Sequence, residues 1–157
     1  MFKEGNIDGV IIKDLKKYKD DRGWLIELFR HDEIEKPAWP VMSYISQTLP
    51  GIARGPHEHV DQTDYFMFVG PSNFKIYLWD SRKDSKTYQN KTILVLGEES
   101  PGSVIVPPGV VHAYKNIGKV PGTVFNAPNR LFAGENKQEP VDEIRHEDEK
   151  NSPYELD

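Results

Sequence analysis

Short runs of apolar and β-branched residues, separated by glycine and proline, recur along the whole chain. In the run 73–79 apolar residues can face a core while Lys75 and Tyr77 point elsewhere, because successive side chains of a strand point to opposite faces. Such runs with turn-forming residues between them predict short β-strands. The predicted strands cover residues 9–15, 23–29, 40–48, 65–69, 73–79, 91–96, 103–106, 111–116 and 122–127.

Helical periodicity is weak in this sequence. Only residues 31–36 and the acidic stretch 141–150 have a pattern that predicts short helices. Many short strands at regular spacing favour a sandwich or a barrel, a group that includes jelly rolls. A length of 157 residues suits one domain, which we predict to span residues 1–157.

Composition narrows the functional classes. The chain has no cysteine, which excludes disulfides and thiolate metal sites. Its N-terminus lacks the pattern of a signal peptide, and no apolar run reaches the ~20 residues of a membrane-spanning helix, so we expect a cytoplasmic protein without a membrane partner. The net charge is −5, with the acidic residues concentrated in 135–157. This pattern lacks the basic stripe typical of nucleic-acid binders, whereas the nearly neutral remainder is suited to an anionic small molecule.

Three of the five histidines lie in two short segments. His57 and His59 are two residues apart, so on a strand both rings point to the same face. The turn predicted at 107–109 leads into a strand that carries His112. These imidazoles are therefore predicted to converge on one metal ion or one substrate.

Both segments resemble the two motifs of the cupin superfamily. They read Gly51-x5-His57-x-His59-x4-Asp64, with Asp64 where cupins usually have glutamate, and Pro107-x-Gly109-x2-His112-x3-Asn116. The resemblance implies an all-β fold, a cupin jelly-roll β-barrel. It does not fix the activity, because one fold carries many chemistries.

A narrower resemblance covers most of the chain and is to the dTDP-4-dehydrorhamnose 3,5-epimerase family. The matching segments, in family order, are Asp21-Arg22-Gly23-Trp24-x2-Glu27-x-Phe29, Arg54-Gly55-Pro56-His57, Trp79-Asp80-Ser81-Arg82-x2-Ser85-x-Thr87-Tyr88, Val106-Pro107-x-Gly109-x2-His112 and Ile144-Arg145-His146-Glu147-Asp148-x4-Pro153.

This resemblance implies a homodimeric enzyme without a cofactor that acts beside the keto group of a nucleotide-linked 4-keto-6-deoxy sugar. By the match, His57 is the catalytic base and Asp148 orients it. The residues expected to contact the substrate are Arg22, Glu27, Arg54, His59, Arg82, His112, Tyr114 and Arg130.

Three positions depart from the family pattern. His59 replaces a glutamine, Asp64 stands near the position of a lysine, and Arg130-Leu131-Phe132 stands where the family has its catalytic tyrosine. A single-centre epimerase, a ketoisomerase or another reaction on a related sugar therefore fits better than double epimerisation. Tyr114, Tyr44 and Arg130 are the residues that can replace the missing acid.

Two other hypotheses remain open at this point. His57, His59, Asp64 and His112 form a three-histidine, one-carboxylate set that suits a divalent transition metal, which would make the protein a metal-dependent cupin enzyme. One histidine cannot easily serve both as metal ligand and as free base, so this hypothesis competes with the epimerase. The third hypothesis is a cupin that binds carbohydrate without catalysis.

Overall fold

The computed structural model describes all 157 residues and contains thirteen β-strands and four short 3-10 helices. The strands are β1 (Lys3–Glu4), β2 (Ile11–Asp14), β3 (Lys17–Asp20), β4 (Gly23–Ile26), β5 (Tyr44–Thr48), β6 (Ala53–Glu58), β7 (Asp64–Phe68), β8 (Asn73–Asp80), β9 (Asn90–Gly97), β10 (Gly102–Val106), β11 (Val110–Asn116), β12 (Gly122–Asn126) and β13 (Ile144–Arg145). The 3-10 helices span His31–Glu33, Lys36–Ala38, Glu135–Lys137 and His146–Asp148.

The strands form two large sheets and one separate hairpin. The six-stranded sheet has the order β1-β9-β8-β11-β6-β13 and the five-stranded sheet has the order β2-β10-β7-β12-β5. The hairpin β3–β4 makes a two-stranded sheet of its own. This arrangement confirms the prediction of an all-β jelly roll, although hydrogen bonding does not continue from one large sheet into the other to close a ring.

The apolar core lies between the two large sheets. Phe74, Ile76 and Leu78 of β8 belong to the same buried cluster as Phe66 and Phe68 of β7. These residues alternate along their strands, as a sheet with one face on a core requires. Towards His112 and Asp64 the inward-facing side chains become polar, and the sandwich opens into a cavity there.

The acidic stretch 141–150 does not form the predicted helix. It makes the short strand β13, which pairs with β6, and then the 3-10 helix His146–Asp148. The carboxylate of Asp142 accepts backbone hydrogen bonds from residues 60–62 at 2.8–2.9 Å. These tertiary contacts override the weak local preference for a helix. The stretch 31–36 likewise forms only the 3-10 helix His31–Glu33.

The structure contains no helix with the length and apolar character needed to cross a membrane.

Candidate active site

A cavity of about 720 Å³ opens between the two sheets, within the size range of small-molecule sites. Its walls come from β5, β6, β7 and β11 and from the segment 128–147. His57, His59, Asp64 and His112 all line it. The cavity therefore brings together the two segments that the sequence singled out.

Gly55 allows the two histidine-bearing strands to approach each other. It has a φ of +85°, and a Cβ added there would lie 2.6 Å from the carbonyl oxygen of His112. A side chain at position 55 is therefore disfavoured by the positive φ and excluded by the nearby carbonyl oxygen of His112. Across this contact His57 of β6 pairs in register with His112 of β11, and their ring centroids lie 6.4 Å apart.

His57 is held by two carboxylates from the C-terminal segment. Its Nε2 lies 2.7 Å from Oε1 of Glu147, and its Nδ1 lies 3.4 Å from Oε1 of Glu143. Although burial opposes the shift, hydrogen bonds from the backbone amide of Glu147 and from His57 lower the pKa of Glu147, so that it stays ionised beside the imidazole. An ionised carboxylate in this position accepts a hydrogen bond from the imidazole and fixes the orientation of the ring.

The prediction that Asp148 orients His57 is wrong. The side chain of Asp148 is 74 % exposed and lies 3.6 Å from Nε of Arg145. In the helix His146–Asp148, Glu147 turns towards the cavity while its neighbour Asp148 turns to solvent. The orienting carboxylate therefore lies one residue earlier than the family match implied.

A second polar unit consists of His59, Asp64 and His112. Oδ2 of Asp64 lies 2.9 Å from Nε2 of His59 and 3.2 Å from Nε2 of His112. Its Oδ1 accepts hydrogen bonds from the side-chain amides of Gln62 and Asn126, both at 2.8 Å. Asp64 is only 1 % exposed, so this carboxylate is a fully bonded group at the base of the cavity.

The contacts of His59 require a proton on each ring nitrogen. Its Nδ1 hydrogen bonds to the carbonyl oxygen of Asp142, and its Nε2 faces Asp64. Neither a carbonyl oxygen nor an ionised carboxylate can donate a hydrogen, so both nitrogens must. Burial opposes the charge, but the hydrogen bond to Asp64 raises the pKa of His59 to about 9. Burial opposes ionisation of Asp64, but hydrogen bonds from His112 and His59 hold its pKa well below its usual range.

These histidines do not form the predicted four-ligand metal set. The ligand atoms of His59, Asp64 and His112 lie within 4.8 Å of one another, which would suit three donors to one ion. His57 is not part of this group because its Nε2 is directed at Glu147. The residues therefore do not fit the resident metal of a three-histidine, one-carboxylate cupin.

Five of the predicted substrate contacts line the cavity. They are Arg54, His59, His112, Tyr114 and Arg130. Arg54 donates hydrogen bonds to the carbonyl oxygen of Gln47 at 2.7 Å and to Oγ1 of Thr48 at 3.0 Å. Lys137 and Arg145, which the sequence did not single out, also line the cavity. The same lining carries four carboxylates, Asp64, Asp142, Glu143 and Glu147, so the cavity offers both positive and negative groups to a ligand.

The other three predicted substrate contacts lie outside the cavity. Arg22 pairs with Asp20 within the hairpin β3–β4, and its side chain is 90 % exposed. Glu27 follows the same hairpin and lies 3.6 Å from Arg30. Arg82 bonds to the buried carboxylate of Asp80 at 2.8 Å, where it supports the loop after β8. Within one chain these three residues do not reach the cavity.

Two tyrosine hydroxyls face the cavity. The hydroxyl of Tyr44 accepts a hydrogen bond from Nδ2 of Asn126 at 2.9 Å, and burial raises the pKa of Tyr44 to about 12. The hydroxyl of Tyr114 lies 3.2 Å from Oγ of Ser46. No sequence pattern marks Asn126 as a site residue, because its position in the site depends on the pairing of β12 with β5.

Comparisons with known proteins agree on one family. Residues 4–138 match the model of the dTDP-4-dehydrorhamnose 3,5-epimerase family. Over 135 residues, 85% of this chain and 86% of the relative, the sequence is 35% identical to the probable low-salt glycan biosynthesis epimerase Agl13 of Haloferax volcanii. It is 36% identical over 119 residues to the spore coat polysaccharide biosynthesis protein SpsL of Bacillus subtilis, covering 76% of this chain and 78% of the relative.

The fold has solved counterparts as well. The crystal structure of a dTDP sugar isomerase from Desulfovibrio desulfuricans superposes with a TM-score of 0.79 and 20% sequence identity. The superposition covers 95% of this chain and 91% of that one. At 20% sequence identity, this similarity shows a shared fold and nothing more.

Proposed function

Because the chain belongs to the dTDP-4-dehydrorhamnose 3,5-epimerase family, an isomerase-class family, we propose that it inverts a carbon next to the keto group of a nucleotide-linked 4-keto-6-deoxy sugar. The observation that carries this proposal is the pairing of His57 with Glu147 at 2.7 Å on the wall of a cavity of about 720 Å³. A hydrogen on a carbon beside a ketone is acidic enough for a positioned imidazole to remove.

His57 acts as the base in this proposal. Glu147 accepts a hydrogen bond from Nε2–H, which leaves the lone pair on Nδ1 to take the proton from carbon. Glu143, 3.4 Å from Nδ1, and Glu147 then stabilise the imidazolium that forms. Histidine is the side chain that most often carries out such proton transfer.

The charge that develops on the keto oxygen needs a positive group nearby. The family has a lysine near the position of Asp64, and in this chain Asp64 lies 2.9 Å from the imidazolium of His59. We infer that the imidazolium of His59 supplies the positive charge on this side of the cavity. The buried position strengthens the effect, because charges interact more strongly where water is excluded.

Arg54 and Arg130 are the residues that we expect to hold the diphosphate of the substrate. Both line the cavity, and a guanidinium binds phosphate oxygens through two parallel hydrogen bonds. Arg130 makes an exposed ion pair with Asp61, which costs little to break when a substrate binds. The two curated relatives are named for glycan and spore-coat polysaccharide biosynthesis, and we propose that the product of this enzyme serves a comparable pathway.

We also propose that the enzyme is a homodimer and needs no cofactor. Trp24 and Leu25 of the hairpin β3–β4 are more than half exposed, which is costly for large apolar side chains in a monomer. Every group that the reaction requires is a side chain of the protein, so no cofactor enters the steps above.

Deuterium exchange tests the proposed function. In D₂O with a panel of nucleotide-linked 4-keto-6-deoxy sugars, the protein should introduce deuterium at a carbon next to the ketone, detected by mass spectrometry and NMR. His57→Ala should lower this exchange by about 100-fold to 10,000-fold, the usual contribution of a general base. His31→Ala is the matched control, because His31 is exposed and packs beside Trp39 outside the cavity.

The same experiment separates the competing functions. Full exchange by His57→Ala would refute His57 as the base. Loss of exchange after treatment with a chelator, and its return with a transition metal, would favour the metal-dependent cupin. Binding of a nucleotide sugar without exchange under any condition would identify a carbohydrate-binding protein.

A further inference from the structure

Tyr44 lies across the cavity from His57. Tyr44 begins β5 in the five-stranded sheet, whereas His57 lies on β6 in the six-stranded sheet. Both side chains line the same cavity between the sheets. A ligand bound there has one face towards each sheet, and therefore one face towards each of these two residues.

The amide of Asn126 fixes the direction in which the hydroxyl of Tyr44 donates. Oδ1 of Asn126 accepts a hydrogen bond from the backbone N–H of Tyr65 at 3.0 Å. The amide nitrogen must therefore be the atom that contacts both Asp64, at 2.8 Å, and the hydroxyl of Tyr44, at 2.9 Å. An amide nitrogen only donates, so the oxygen of Tyr44 is the acceptor.

The hydrogen of the Tyr44 hydroxyl consequently has no acceptor within the protein. Asn126 makes the only protein hydrogen bond of this hydroxyl, and the oxygen accepts it. The hydrogen is therefore left for whatever occupies the cavity. Burial raises the pKa of Tyr44 to about 12, so the hydroxyl keeps its hydrogen at neutral pH.

We propose that Tyr44 is the catalytic acid that completes inversion by protonating carbon on the face opposite to His57. This inference rests on the proposed function. His57 takes the proton as the C–H bond breaks, and the electron pair moves into the enolate. The enolate carbon then takes the hydrogen of Tyr44 as the O–H bond breaks, which leaves a phenolate. Solvent returns a proton to the phenolate and removes the proton from His57, which closes the cycle.

The other two residues that the sequence offered for this role fit less well. Tyr114 lies on β11 in the same sheet as His57, and its hydroxyl pairs with Ser46 at 3.2 Å. Its side chain is 7 % exposed and belongs to the apolar core cluster. Arg130 keeps its protons throughout the physiological range, so a guanidinium is a poor acid.

The variant Tyr44→Phe tests the proposal because it removes one hydroxyl and keeps the ring. In D₂O, it should form inverted product at least about 100-fold more slowly than the wild type. Deuterium should still enter substrate of unchanged configuration at a rate within about threefold of the wild type, because His57 can exchange the proton that it removed for a deuteron of the solvent and return that deuteron to the same face. NMR of the recovered sugar measures both quantities.

Tyr65→Phe is the matched control. Tyr65 is a buried tyrosine of the same sheet, and its ring packs in a cluster outside the cavity. Both rates should be unchanged in this variant. Thermal unfolding measures whether both variants are as stable as the wild type.

Inversion by Tyr44→Phe at a rate close to that of the wild type would overturn the proposal. Loss of both inversion and exchange would also overturn it, because it would mean that the hydroxyl acts on the keto oxygen or in the first step. Failure of the proposed function itself is distinct, since the wild type would then exchange no deuterium with any sugar of the panel.

Discussion

Two adjacent acidic residues at the C-terminal end of the site have opposite environments. The side chain of Glu147 is 26 % exposed and bonds to His57, whereas that of Asp148 is 74 % exposed. At the scale of single residues, the side of one 3-10 turn that faces the cavity therefore determines which carboxylate binds His57. The resemblance of this segment to the family could not determine that orientation.

We expect Glu147→Gln to lower kcat by about 100-fold or more, because the neutral amide no longer stabilises the imidazolium of His57. Asp148→Asn, which changes the neighbouring carboxylate in the same way, should retain most of the activity. Steady-state kinetics over a range of pH distinguish the two variants, and KM should change little in either. A larger loss in Asp148→Asn than in Glu147→Gln would restore the original assignment.

At the scale of elements, the segment 139–149 is attached to the barrel mainly through polar contacts. β13 pairs with the end of β6, and the carboxylate of Asp142 accepts three backbone hydrogen bonds from residues 60–62. Burial opposes ionisation of Asp142, but these hydrogen bonds lower its pKa overall. One ionised side chain therefore contributes three of the hydrogen bonds that attach this segment.

We expect Asp142→Ala to reduce the free energy of unfolding by about 1–3 kcal/mol, because three backbone N–H groups lose their hydrogen bonds to a charged acceptor. Activity should fall as well, because the segment also carries Glu147. Because the folded-state pKa of Asp142 is depressed, its stabilisation is complete above the unfolded value near 3.8 and is lost as the pH falls through the folded value. Urea denaturation at several pH values measures this difference.

Glu135→Ala, an exposed change just before this segment, is the control and should leave stability unchanged. Equal stabilities of Asp142→Ala and the wild type at neutral pH would show that the hydrogen bonds of Asp142 do not hold the segment.

Sequence patterns predicted the structure where the alternation of residues along one strand sets the directions of its side chains. Alternation along 73–79 predicted β8, and the spacing of His57, His59 and His112 predicted that their side chains meet. Sequence patterns did not predict the structure where the position of a residue depends on pairing with a distant strand. β6 and β13 lack a clear apolar alternation, and Asn126 enters the site only through the pairing of β12 with β5 and β7. Register between distant strands is not readable from one sequence.

At the scale of the whole molecule, the hairpin β3–β4 has no place in either large sheet. It presents exposed Trp24 and Leu25, and it carries Arg22, which the family match associates with the nucleotide. If a second copy receives this hairpin, Arg22 of one chain can serve the cavity of the other. A homodimer would thus account for both the exposed apolar surface and the distance of Arg22 from its own cavity.

Mixing two inactive variants tests this arrangement. We expect His57→Ala and Arg22→Ala each to be severely impaired alone. After unfolding and refolding together in equal amounts, about a quarter of the wild-type activity should return, because half of the dimers are mixed and each has one intact site. Activity assays and analytical ultracentrifugation provide the measurements. No recovery in a mixture that does form dimers would mean that Arg22 is not shared between chains.

The carboxylates that bind His57 come from a segment that lies beyond the family match, which ends at residue 138. Residues 139–149 supply no member of the buried apolar clusters. The groups that bind His57 can therefore change in sequence while the buried apolar core of the barrel stays the same.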